Sequence, residues 1–128
     1  MKKLIFLFLA VIWLTACGQD TENNREAVYV NITAEEAKRI MDSEEGFIIL
    51  DVRTREEYEQ GHIPGATQIS HEEIAEKAEE VLTDKDQLIL VYCRSGRRSK
   101  IAAEALVELG YTNIKEFGGI LDWPYETE

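Results

Sequence analysis

Cysteine is nearly absent from this chain. Its 128 residues contain two, Cys17 and Cys93. Two cysteines cannot build a disulfide framework, and neither stands in a His/Cys cluster with metal-ligand spacing. Basic residues are also scarce, 14 against 25 acidic ones, for a formal net charge of −11. A surface this acidic argues against nucleic acid as a partner. Long apolar runs are missing too. The longest, Leu4 to Leu14, is too short to span a bilayer stably. There is no repeat or low-complexity tract, and neither metal nor cofactor is expected.

What is present begins with that apolar run. Lys2-Lys3 ahead of Leu4–Leu14 is the n-region and h-region of a signal peptide. Leu14-Thr15-Ala16-Cys17 resembles the bacterial lipobox. The resemblance implies cleavage after residue 16 and diacylation of Cys17. Two acyl chains are enough for stable anchoring. Residues 1–16 are therefore expected to be a lipoprotein signal peptide, and polar residues 17–27 a tether. Residues 28–128 are expected to be one domain, an extracytoplasmic, membrane-anchored monomer. Losing residues 1–16 removes two lysines and no acid, leaving 12 basic residues against 25 acidic. Four of the 12 cluster between Arg94 and Lys100. A positive spot on a negative body suits a small anionic ligand.

That spot lies on the stretch that organises the domain. Leu88–Tyr92 is a continuous apolar run, as expected of a strand buried on both faces. Ser99–Leu109 carries Ala102, Ala105, Leu106 and Leu109 on one helical face. Between them lies a loop that opens with Cys93. A strand-loop-helix unit aims backbone N–H groups at one point, which favours an anion. Helix N-termini and nearby cations lower a thiol from about 8.5 to roughly 3.5–7.5. Arg94, Arg97 and Arg98 supply cations, Ser95 a hydroxyl, and Ser99 reads as the helix N-cap. An inert cysteine at a strand end is the competing reading. Cations gathered on a glycine loop weigh against it.

Similar signals run along the whole domain. Val28–Ile32 reads as a strand. Thr33-Ala34-Glu35-Glu36, Thr54-Arg55-Glu56-Glu57 and Ser70-His71-Glu72-Glu73 read as capping boxes. The first opens a helix through about Met41, and Gly61 stops the second helix. The third helix is expected to turn Ile74, Ala78, Val81 and Leu82 inward. Phe47–Val52, Ala66–Ile69 and Tyr111–Phe117 read as strands. Strands alternating with helices predict a three-layer α/β fold with a mainly parallel sheet. Ligands bind such sheets at the carboxyl ends of the strands, where Asp51 and Cys93 stand. Asp51 is read as a carboxylate accepting bonds from loop N–H groups or an arginine, and Arg53 as paired with an acid such as Glu57. His62 is expected to be held in a turn, and Trp123 to pack over the base of the loop.

Cys93-Arg94-Ser95-Gly96-Arg97-Arg98-Ser99 resembles the active-site loop of single-domain rhodaneses, which are sulfurtransferases. His62-Ile63-Pro64-Gly65-Ala66, Asp51-Val52-Arg53 and Gly118-Gly119-Ile120-Leu121-Asp122-Trp123 resemble three more motifs of that family, in the same order. The resemblance covers about Val28 to Trp123. It implies that Cys93 is the nucleophile and that Arg94, Ser95, Gly96, Arg97, Arg98 and Ser99 surround the transferred sulfur, with Asp51 and Arg53 in support. Donors would be thiosulfate or another small anionic sulfane species, and acceptors cyanide or a thiol. Cysteine-dependent phosphatases with a related loop place one more residue between Cys and Arg, so this loop suits a single sulfur better than a phosphoryl group. The rival functional class is a tethered binding or thiol-sensing module without turnover.

Overall fold

The structure is a computed structural model and describes residues 28–128. The expected signal peptide, Cys17 and the expected tether lie outside these residues. Five strands and four helices alternate: β1 (Val30–Asn31), α1 (Ala34–Ser43), β2 (Ile48–Asp51), α2 (Arg55–Gln60), β3 (Thr67–Gln68), α3 (Ile74–Val81), β4 (Ile89–Cys93), α4 (Arg97–Glu108) and β5 (Ile114–Gly119). Single 3-10 turns, His71–Glu73 and Ile120–Asp122, precede α3 and follow β5. The sheet order is β1-β5-β4-β2-β3, and every pair is parallel. The fold is the expected α/β sandwich, with an all-parallel sheet.

β4 is central, and all five of its residues are buried. Its pleat separates two cores. Val91 and Cys93 face Ile74 and Ala78 of α3 and Ala102, Ala103 and Leu106 of α4. Leu90 and Tyr92 face Ala37 of α1, Ile63, Phe117 and Trp123. Burial of the apolar side chains contributes about 25 cal/mol per Å2 to each layer.

The local capping signals hold in part. Thr33 Oγ accepts from Glu36 N–H at 3.1 Å. Thr54 and Glu57 form a complete capping box. Ser70 does not cap a helix. Its hydroxyl donates to Arg53 O at 3.3 Å and accepts from Gln68 Nε2 at 3.1 Å, which ties the end of β3 to the β2 exit. Val81 is 47% exposed, because α3 ends there and Leu82 turns inward in its place. β1, β2 and β3 are shorter than their apolar runs, and β5 runs two residues further than expected, to Gly119. Trp123 packs against Phe117, ring centroids 5.6 Å apart, on the face opposite Cys93.

Candidate active site

Cys93 is the last residue of β4, and Gly96 is the reason the chain can turn straight into α4. Gly96 has φ +103°, a left-handed conformation that suits glycine, and the helix starts one residue later. The expected N-cap at Ser99 is therefore wrong. Ser99 lies inside the first turn of α4, and its hydroxyl points back at the thiol.

The thiol is fully buried. Gly96 N–H donates to Sγ at 3.0 Å, and Sγ donates to Ser99 Oγ at 3.4 Å. The Ser99 hydroxyl in turn donates to Glu116 Oε1 at 2.6 Å, closer than its alternatives Gly96 O at 3.1 Å and Gly118 O at 3.4 Å. Glu116, 2% exposed, also accepts from Gly118 N–H at 2.8 Å.

Gly118 and Gly119 bring β5 against the loop. Gly118 takes φ +87°. One extra residue enters β5 there, since Val91 pairs with Glu116 but Cys93 pairs with Gly119. A Cβ on Gly119 would stand 2.0 Å from the Arg94 carbonyl oxygen, so only glycine fits. Leu121 N–H then donates to that same carbonyl at 3.2 Å.

The arginines divide. Arg94 and Arg97 are exposed, as is Ser95, and Gly96 is buried. Arg94, Arg53 and Glu57 line an open cavity of about 320 Å3 that Cys93 itself does not line. Arg98 makes a bidentate ion pair with Glu57, at 2.6 and 2.9 Å. The guanidinium holds the Glu57 carboxyl at about 2, outweighing partial burial, and the Thr54 bonds add to it. Arg98 is raised in return by Glu57 first and, more weakly, by the nearby Cys93 sulfur. Arg98, one of the cations expected around the thiol, is thus engaged by an acid from α2.

Asp51 and Arg53 meet one another instead of Glu57. Asp51 accepts from Arg53 N at 2.9 Å, from the guanidinium at 2.7 Å and from Tyr92 O–H at 2.6 Å. Two residues apart at a buried strand end, they are closer partners than Arg53 and a helix side chain. Burial alone would lower Arg53, but the Asp51 carboxylate outweighs it and Arg53 is raised. Burial, then the Asp51 carboxylate, push the Tyr92 phenol well up. Arg53 also donates to Gly61 O at 2.7 Å, tying β2 to the end of α2. His62 is held as expected, Nδ1 2.9 Å from Tyr58 O and its ring stacked on Tyr58 at 3.7 Å.

The model of one family, the rhodanese-like domain, matches residues 33–125. The chain belongs to the rhodanese-like family. YrkF of Bacillus subtilis is 38% identical over 112 residues, which are 87% of this chain and 59% of YrkF. The chain thus spans about three-fifths of that relative's length. Thiosulfate sulfurtransferase PspE of Escherichia coli is 41% identical over 73 residues, 57% of this chain and 70% of PspE. Among solved structures, the rhodanese-like domain of Alr3790 from Anabaena superposes with a TM-score of 0.73 at 30% identity, covering 79% of this chain and 80% of that one. An E. coli rhodanese solved with anions gives 0.60 at 36% identity, covering 64% and 96%.

Sequence reasoning about this rhodanese-like domain missed Glu116 and Tyr92. A signal existed for both. Glu116 shares strand parity with buried Ile114, so an acid there had to face the core. A tyrosine in a fully buried strand needs a partner for its hydroxyl, and Asp51 on the neighbouring strand is in register with it.

Proposed function

We propose that this protein is a sulfurtransferase that carries sulfur as a persulfide on Cys93. The carrying observation is the thiol at the carboxyl end of β4, with Gly96 N–H donating to Sγ at 3.0 Å. A donor at that position stabilises a sulfur anion without needing to reorganise. The name of PspE supports thiosulfate as the donor class.

The reaction is a double displacement. The Cys93 thiolate attacks the outer sulfur of thiosulfate, the new S–S bond forms, and sulfite leaves with the electrons of the old one. Cyanide or a thiol then takes the terminal sulfur and the thiolate returns. Arg94, on the open cavity, and Arg98, at the start of α4 and paired with Glu57, attract the anionic donor. Ser95, Gly96, Arg97 and Ser99 complete the loop around the sulfur. Asp51 and Arg53 hold the β2 end beside it. Because Cys93 is fully buried, the loop must open slightly to admit the donor.

Intact mass before and after thiosulfate, then after cyanide, tests this. One sulfur gained and then lost is expected, and C93S should show neither. A thiol that stays free yet alkylates would overturn the reading. It would favour instead a thiol module that captures a partner without turnover.

We also infer an extracytoplasmic, lipid-anchored protein, from Lys2-Lys3, the Leu4–Leu14 run and Leu14-Thr15-Ala16-Cys17. Mass spectrometry of the N-terminus of the cell-derived protein should find residue 17 first and diacylated. An unmodified Cys17 would refute it.

A further inference from the structure

Glu116 is a buried carboxylate that forms no ion pair with any cation among the described residues. Burying a charge without a counter-charge is costly unless something neutralises it. Two neutral donors face it, the Ser99 hydroxyl at 2.6 Å and Gly118 N–H at 2.8 Å. The only thiol among the described residues stands one hydroxyl away, with Sγ 3.4 Å from Ser99 Oγ.

We propose that Glu116 is a positioning residue that takes and stores the Cys93 proton through the Ser99 hydroxyl. The proposal rests on the sulfurtransferase reading above. Two anions this close repel, so the site holds one negative charge shared between sulfur and carboxylate. At rest it lies on Glu116, and Sγ–H donates to Ser99. To activate, the Sγ–H bond breaks as Ser99 Oγ takes that proton. The Oγ–H bond breaks as Glu116 Oε1 takes the other. The charge is now on sulfur and no electron has left the site. Glu116 as an acid donates to Ser99 Oγ, and Ser99 turns its new hydrogen toward the sulfur, as a persulfide requires. When the acceptor removes the outer sulfur, the two protons step back.

From the β1 side the titratable neighbour of Glu116 is Tyr29, whose own phenol is raised by burial, then by Glu104 and Glu116. From α4 Glu116 is met by Ser99, and the guanidinium of Arg98 on the same helix is bound to Glu57.

The test is the pH profile of Cys93 alkylation by iodoacetamide on the full chain, with modification at Cys93 read by peptide mass spectrometry. Internal proton transfer makes the thiolate fraction independent of pH, so the wild-type rate should be nearly flat from about pH 5.5 to 7.5, below the ordinary thiol value of about 8.5. E116Q keeps the shape but cannot take a proton. Its thiol must lose the proton to water, so its rate should climb about tenfold per pH unit and lie at least about tenfold below wild type at pH 6. S99A, which cuts the link, should behave like E116Q, and S99T should restore the flat profile. A purely structural Glu116 would lower the rate equally at every pH. A wild-type rate climbing tenfold per unit, or an S99A profile as flat as wild type, overturns the proposal even if E116Q fails to fold. Failure of the sulfurtransferase reading is seen separately, as no mass gain with thiosulfate despite a flat alkylation profile.

Discussion

Two buried carboxylates stand on opposite faces of one sheet, and they are held differently. Asp51 meets a guanidinium, a phenol and a backbone N–H, all within 2.6–2.9 Å at their closest. Its charge is neutralised by Arg53, which in turn fastens the end of α2 through Gly61. Among the described residues, the Glu116 carboxylate meets only a hydroxyl and a backbone N–H. Asp51 is an anchor whose loss strands a buried cation. Glu116 sits where a proton can come and go, three atoms from the reactive sulfur. The difference teaches that burial alone does not mark a working acid. The identity of its donors does.

The largest way to break the contrast is D51N. It leaves Arg53 buried without its counter-charge, which costs about 3–5 kcal/mol in stability. Urea unfolding should show this as a lower midpoint, and E116Q should lose much less, since no cation is left behind. Equal losses would erase the distinction.

G119A attacks the Glu116 side through the backbone. Its methyl group would enter the space of the Arg94 carbonyl, so the loop or β5 must shift, at about 2–3 kcal/mol by analogy with overpacked cores. Cys93 alkylation should change in rate and pH profile, because β5 carries Glu116. A stable G119A protein with wild-type alkylation would contradict this.

Y92F is smaller. It removes the bond to Asp51 and the acceptor for Ile63 N–H at 3.1 Å, costing about 1–3 kcal/mol. Thermal unfolding should fall by several degrees, with the sulfur mass gain intact.

The smallest effect concerns Glu57. Its carboxyl is depressed from 4.5 to about 2. A depressed acid stabilises the fold above its unfolded value and loses that contribution as pH falls through the folded one. The Arg98 pair should therefore contribute fully above about pH 5, roughly 1–2 kcal/mol after allowance for solvent screening, and fade toward pH 2. E57Q should flatten the stability-pH curve in that window. An unchanged slope would remove Glu57 from the account.

Much of this was legible from residues. The apolar run before Cys93, the Thr54–Glu57 capping box and the alternation of strands and helices carry local information, and each formed where expected. Pairings were less legible. Arg53 had two acids within reach, Asp51 and Glu57, and the burial of the β2 exit decides which is paired with it. Ser99 looked like a cap because hydroxyls favour helix starts. A left-handed Gly96 moved the start and freed that hydroxyl for the thiol.

Sequence by itself determined the layers, the parallel sheet and the place of the thiol, because hydrophobic period and capping residues act over a few neighbours. Tertiary structure alone decided which charge each side chain meets. Glu57 reaches Arg98 across 41 positions, and Tyr92 reaches Asp51 across the same span. Ser99 and Glu116 lie 17 apart and touch because β5 lies beside β4 and the start of α4. Such contacts depend on strand order and on glycines that permit close approach, and neither leaves a local pattern in the chain.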